Sequence, residues 1–310
     1  MRRVPELALL MLTGLAFAPL RAADLPPSDV KAGRATITVT FKPGTFDLPE
    51  AKILEWVSNA SGAVAEYFGR FPVPHPTLEI RPAAGRNGVF YGMTYGMRGG
   101  LTRIAVGQHV TQQNLDNDWI LTHEFIHMAF PDIEGDEREH HWIEEGMATY
   151  VEPIARCQTG RLTPERVWGE MAEYMPNGLS RPGDRKGLDN NGSWGSTYWG
   201  GALFWLLGDV QIREATNNKL GVQDAMRAIL NAGGDIRQDW TIQRTLQVGD
   251  KGTGHKVLEG LYNKMKDTPV QTDLDALWRK LGVSVVNGQV KFDDHAPDAH
   301  IRKAITAKRN

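Results

Sequence analysis

Apolar and polar positions alternate along Ala35–Phe41, a run rich in β-branched side chains, and this period of two predicts a strand. Residues 77–80 and 101–106 read as two more strands. Between the first pair the period changes. Ile53, Leu54, Val57, Ala60, Val64, Tyr67 and Phe68 recur at helical spacing, which predicts a helix over 48–68. Lys42-Pro43-Gly44 breaks the first strand, and Pro72, Pro74 and Pro76 form a stiff connector before the second. Residues 85–100 are rich in glycine and contain a small echo, Tyr91-Gly92-Met93 and Tyr95-Gly96-Met97. Such glycines either let another backbone approach closely or mark a hairpin turn. A helix is expected over 118–130, capped by Asp116 or Asp118 and stopped by Pro131, with Leu121, Phe125 and Met128 as an apolar face. Residues 132–141 read as a charged, solvated loop. Further helices are predicted over 142–151 (continuing toward Arg156), 162–174, 198–215, 222–230, 257–266 and Leu274–Leu281. A small hairpin is expected around Asn287-Gly288. The polar stretch 176–196 is a long loop of the kind that covers a cleft. Strands come first and helices follow, which predicts an α+β fold.

Composition narrows the picture. The 310 residues are 41% hydrophobic and 23% charged, ordinary for a globular protein with a sizeable core. The formal net charge of −2 gives no reason to expect nucleic acid or an anionic membrane as partner. The basic end, 302–309, reads as a solvated terminus. Arg2 and Arg3 precede an apolar run over 7–18, and Leu20-Arg21-Ala22-Ala23 offers small residues for cleavage. Residues 1–23 therefore read as a signal peptide, with export to the periplasm or medium if the source is bacterial and no stable membrane insertion after cleavage. That leaves 24–310 as a single domain, with a loose leader to Gly33, a mainly β lobe over 24–115 and a mainly α lobe over 116–310. The one cysteine, Cys157, has no partner for an internal disulfide.

The chemistry concentrates in His123-Glu124-Phe125-Ile126-His127. On a helix the two histidines lie four apart on one face, where both can reach one metal ion. Glu124 stands at the edge of that face and can serve a water as general base. Two imidazoles suit zinc, and a hydrolytic zinc site wants a third protein ligand and an open position. Glu145, with seventeen residues between it and His127, fits best. Gly146 beside it would admit another helix. Glu144, about 100° round the helix, and His140 and His141 in the charged segment are the competitors. Ile133 stands where a shorter H-E-x-x-H-x-x-G-x-x-H pattern needs histidine.

His123–His127 together with Trp142-Ile143-Glu144-Glu145-Gly146-Met147-Ala148 resembles the gluzincin metallopeptidases, in particular the glycyl aminopeptidase-like and aminopeptidase N-like members. Thr197-Tyr198-Trp199-Gly200-Gly201-Ala202 is similar to their Y-x-K-G-A segment, and Gly99-Gly100-Leu101-Thr102 to their substrate-binding edge strand. The resemblance implies a thermolysin-like zincin domain, with the active-site helix between a small mixed sheet lobe and a helical lobe. It implies one zinc ion per chain held by His123, His127 and Glu145. It also implies Glu-assisted attack of zinc-bound water on a peptide or protein substrate, with Tyr198 stabilising the oxyanion. Gly99, Gly100, Leu101 and Thr102 would hold the peptide. Two positions depart from the pattern. Gly200 replaces lysine, and Thr102 replaces the glutamate that would hold a free amine, so strict aminopeptidase specificity is not implied. A peptidase-like binding protein without activity, and a zinc hydrolase of a non-peptide amide such as a cell-wall component, are the alternatives.

Overall fold

A computed structural model describes residues 26–135 and 137–308; the signal segment expected over 1–23 lies outside them. The chain opens with β1 (Ser28–Ala32) and β2 (Ala35–Phe41), followed by α1 (Glu50–Phe68), β3 (Thr77–Ala83), β4 (Val89–Tyr95) and β5 (Leu101–Gly107). The five strands form one sheet in the order β1-β2-β3-β5-β4. The β2–β3 and β3–β5 pairs are parallel, while β1 and β4 run antiparallel on the two edges. Strand β2 is buried at every second residue, as its sequence requires. Helix α1 buries Ile53, Trp56, Val57, Ala60 and Val64 along one stripe and ends at Gly69, whose φ of 78° suits the left-handed cap.

The helical part contains α2 (Gln112–Asn117), α3 (Ile120–His127), α4 (Glu137–Gln158), α5 (Pro164–Tyr174), α6 (Gly201–Ala215) and α7 (Val222–Asn231). It continues with α8 (Ile242–Thr253), α9 (Leu258–Met265), α10 (Leu274–Leu281) and α11 (Ala299–Thr306). A short parallel pair, β6 (Asp132–Ile133) with β7 (Asp239–Trp240), ties the segment after α3 to the helical half. The hairpin β8 (Val283–Val286) with β9 (Gln289–Phe292) turns at Asn287 and Gly288, both at positive φ. One apolar cluster runs from the sheet through α1 and α3 into the buried helices α4, α6 and α7. No helix among the described residues is long and apolar enough to cross a membrane.

Four expectations are corrected. The leader contains a strand, because Val30 and Ala32 are buried against the sheet while Asp29 and Lys31 face outward. The charged segment before Trp142 is helical from Glu137, so His140 and His141 belong to α4. The basic terminus is not a solvated tail. Arg302 is buried, donates to the Leu281 and Gly282 carbonyls at the end of α10, and lies over the Phe292 ring. The fourth correction concerns the sheet edge and bears on the site below.

Candidate metal centre

Helix α3 begins where the Asp118 carboxylate accepts hydrogen bonds from the Ile120 and Leu121 amides. The Trp56 indole donates to the same carboxylate, which fixes α3 against α1. Burial pushes the Asp118 pKa up to about 6 against the pull of these bonds. Leu121, Phe125 and Ile126 are buried, so the helix has packed neighbours on several sides and cannot turn to present a different face.

That face presents His123 and His127, with ring centroids 5.0 Å apart. Glu145 on α4 comes to meet them. Its Oε2 lies 3.0 Å from His123 Nε2 and 3.6 Å from His127 Nε2. One ligand atom from each of the three residues falls within 4.8 Å of the others. Ligands about 2.0–2.1 Å from a tetrahedral zinc ion stand roughly 3.4 Å apart, and two imidazoles with one carboxylate are a donor set zinc accepts. The residues therefore fit the metal.

Electrostatics point the same way. Burial alone would raise the pKa of Glu145, but the imidazoles of His123, His127 and His141 hold it well below the usual carboxylate range. Burial works against a charged His127, yet the Glu145 carboxylate outweighs it and raises the pKa to about 9. Imidazole binds a metal in its neutral form, so an ion held here would take the place of that proton.

Two close backbone crossings assemble the rest. Gly146 and Gly201 face each other where α4 meets α6. A Cβ on Gly146 would stand 2.3 Å from Gly201, and one on Gly201 would stand 2.1 Å from the Trp142 carbonyl oxygen. This crossing sets Tyr198, in the π-helical turn before α6, beside the centre. Its ring stacks on His123 at 6.4 Å. Burial and the charges of Glu145 and Glu124 push the phenol up to about 12, so it remains a donor at neutral pH.

The second crossing brings β4 over the motif. A Cβ on Gly92 would stand 2.5 Å from Glu124 Cγ. Thr94, two residues on, donates toward Glu124 Oε2 at 2.8 Å and also lies 2.9 Å from the Glu124 carbonyl oxygen and from Thr102 Oγ1.

Here the edge of the sheet must be reassigned. Strand β5 lies between β3 and β4, with Leu101 and Thr102 wholly buried and the Gly100 carbonyl accepting from Thr77. The main chain of Leu101 and Thr102 therefore has no free edge for a peptide, and Gly99 and Gly100 lie in the turn that precedes the strand. The edge strand at the centre is β4. Its aromatic and threonine content was a strand signal that Gly92 and the surrounding glycines masked.

The competitors for the third ligand are turned elsewhere. Glu144 accepts from the Ile133 amide, and burial pushes its pKa up to about 7. His140 lies 3.6 Å from Asp189, a buried carboxylate of the long 176–196 segment that also accepts from Trp142 and Tyr262. His141 approaches Glu145 itself. Sequence reasoning missed Thr94 and this contact of His141, although a helix extended one turn back from Trp142 places His141 four residues before Glu145.

No family model and no curated protein matches the chain. Solved structures do. An aminopeptidase N family protein from Idiomarina loihiensis superposes with a TM-score of 0.59 at 15% identity, over 84% of this chain and 49% of that one. A two-domain M1 zinc metallopeptidase variant bound to L-arginine gives 0.51 at 14% identity, over 80% and 52%. The chain spans about half the length of these proteins. Identity this low speaks for the backbone alone, and on that ground the chain has the aminopeptidase N-like fold of the M1 zinc metallopeptidases.

Proposed function

We propose that the protein is a zinc metallopeptidase of gluzincin type, with His123, His127 and Glu145 holding one zinc ion, Glu124 as general base and Tyr198 as oxyanion donor. The observation that carries this reading is the convergence of three ligand atoms from α3 and α4 beside a second carboxylate, Glu124, which Thr94 engages from the passing strand. When bound, zinc supplies Lewis acidity toward a carbonyl and makes a water more acidic.

The chain's own residues do the rest. Thr94 occupies Glu124 Oε2 and leaves Oε1 to accept a proton from the attacking water. The same oxygen then delivers it to the leaving amine nitrogen as the carbon–nitrogen bond breaks. Tyr198 donates its phenolic hydrogen to the oxygen that becomes negative; donors of this kind are worth about 3 kcal/mol. The unpaired edge of β4 can align an extended peptide by main-chain hydrogen bonds.

Strand β4 reads VFYGMTY and carries no carboxylate to hold a free α-amine. A strict aminopeptidase is therefore not the expected outcome. Cleavage of N-blocked and free peptides at comparable rates supports this reading, and an absolute requirement for a free amine contradicts it. Export follows from the pattern of residues 1–23 alone, and a mature N-terminus at Ala23 or Asp24 would support it. Zinc analysis of the purified protein, with His127→Ala as reference, tests the metal. The expected result is about one ion per chain, lost in the variant.

A further inference from the structure

The two oxygens of Glu145 face different ways. Oε2 points to His123 and His127, at 3.0 and 3.6 Å. Oε1 is 3.2 Å from Nε2 of His141, which stands one helical turn earlier on α4. His141 is not among the three residues whose ligand atoms cluster. Its side chain is half exposed, at 50%, whereas those of Glu145 and His123 are 12% and 6% exposed. Its neighbours are committed elsewhere, Glu144 to the Ile133 amide and His140 toward Asp189. Three polar side chains of α4, His140, His141 and Glu144, thus take three separate tasks.

We infer that His141 is a positioning residue for the metal centre, holding the outer oxygen of Glu145 so that the carboxylate binds through the inner one. The inference rests on the zinc reading above, but only on the presence of a metal at His123, His127 and Glu145. A carboxylate tied at one end of a helix turn loses the freedom to rotate about its last bond, so the ordering is already in place when the ion arrives. Binding through one oxygen also keeps a coordination position open, which a hydrolytic site needs. Partners that orient metal-ligating carboxylates and imidazoles typically contribute 10- to 100-fold in metal affinity. His141 is the residue in this chain placed to do that for Glu145.

The test is a zinc titration against a chromophoric chelator, using the full chain as wild type, His141→Ala, His141→Gln and His140→Ala. The account expects His141→Ala to raise the zinc Kd by about 10- to 100-fold. His141→Gln, which retains an N–H donor, should recover most of that loss. His140→Ala should match wild type. Thermal melts of the zinc-free proteins check that all four fold. An unchanged Kd in His141→Ala overturns the inference while leaving the zinc reading intact. So does a glutamine variant no better than alanine. A wild-type chain that binds no zinc overturns both.

Discussion

Glu124 is surrounded by groups that decide what it can do. Its backbone neighbour His123 faces the metal cluster, and its own carboxylate is turned to Thr94 on the passing strand. Thr94 has one hydrogen to give, so Thr102, fully buried behind it, is the residue left to donate in turn. The result is a short chain of hydroxyls ending on Glu124, the proposed general base. Replacing Thr94 by valine removes a bond to a charged group worth about 1.5–3 kcal/mol. We expect kcat to fall roughly 10- to 100-fold, with zinc content unchanged and activity restored in Thr94→Ser. A serine variant as impaired as the valine variant would show that the methyl packing, not the hydroxyl, matters. None of this was legible in the sequence. Thr102 is readable there as a substituted substrate contact, and only the pairing of β4 with β5 turns it inward, away from any substrate.

At the scale of elements, two features hold the site. The first is the start of α3, where Asp118 accepts two amides and the Trp56 indole. Its pKa is raised by burial from the ordinary 3.8 to about 6. The folded protein therefore binds this proton more tightly than the unfolded chain does. Stability from this group is fully present below pH 4 and is lost as pH rises through about 6, a change on the order of 3 kcal/mol. Asp118→Asn keeps an acceptor for the cap and removes the titration. Denaturant melts between pH 4 and 6 should show wild type losing stability relative to the variant as pH rises; parallel curves would contradict the assignment.

The second feature is the Gly146–Gly201 crossing. Gly146→Ala forces backbone apart from backbone, at a cost of about 1–3 kcal/mol. It should lower Tm by several degrees and, by moving Tyr198 away from Glu145, reduce kcat as well. A variant with wild-type Tm would show that the helices need not touch.

Elements also show where a sequence is readable. Strand β2 and helix α1 declare themselves through strict periods of two and 3.6. The hairpin turn declares itself because Asn287 and Gly288 tolerate positive φ. Helix α8 does not, since its buried face is Ile242, Thr245, Leu246, Gly249, Asp250 and Thr253, four of the six polar or glycine. Gly249 and Gly252 are there for packing, against Leu258 and Ala228, and they erase the apolar stripe. The start of α4 is hidden for a related reason: His140 and His141 turn toward Asp189 and Glu145 and add no apolar residue to a stripe.

In the whole molecule, a five-stranded sheet and a helical half share one apolar cluster, and α3 lies where they meet. The motif on α3, the carboxylate on α4 and the tyrosine before α6 come from segments far apart in the chain. Each arrives by a packing contact that can be named: Gly92 on Glu124, Gly146 on Gly201, and His123 on Tyr198. The fold is that of M1 zinc metallopeptidases, and the chain spans about half the length of those it superposes on. The three residues that could hold a metal come together within the described chain. The central claim is best tested on the catalytic step itself. The most direct measurement is an unbiased peptide-library digest by the zinc-loaded wild-type chain beside Glu124→Gln. The account predicts cleaved peptides with wild type, turnover lower on the order of 10²- to 10⁴-fold in the variant, and equal zinc in both. Equal cleavage by the two proteins, or none by zinc-loaded wild type, would contradict it.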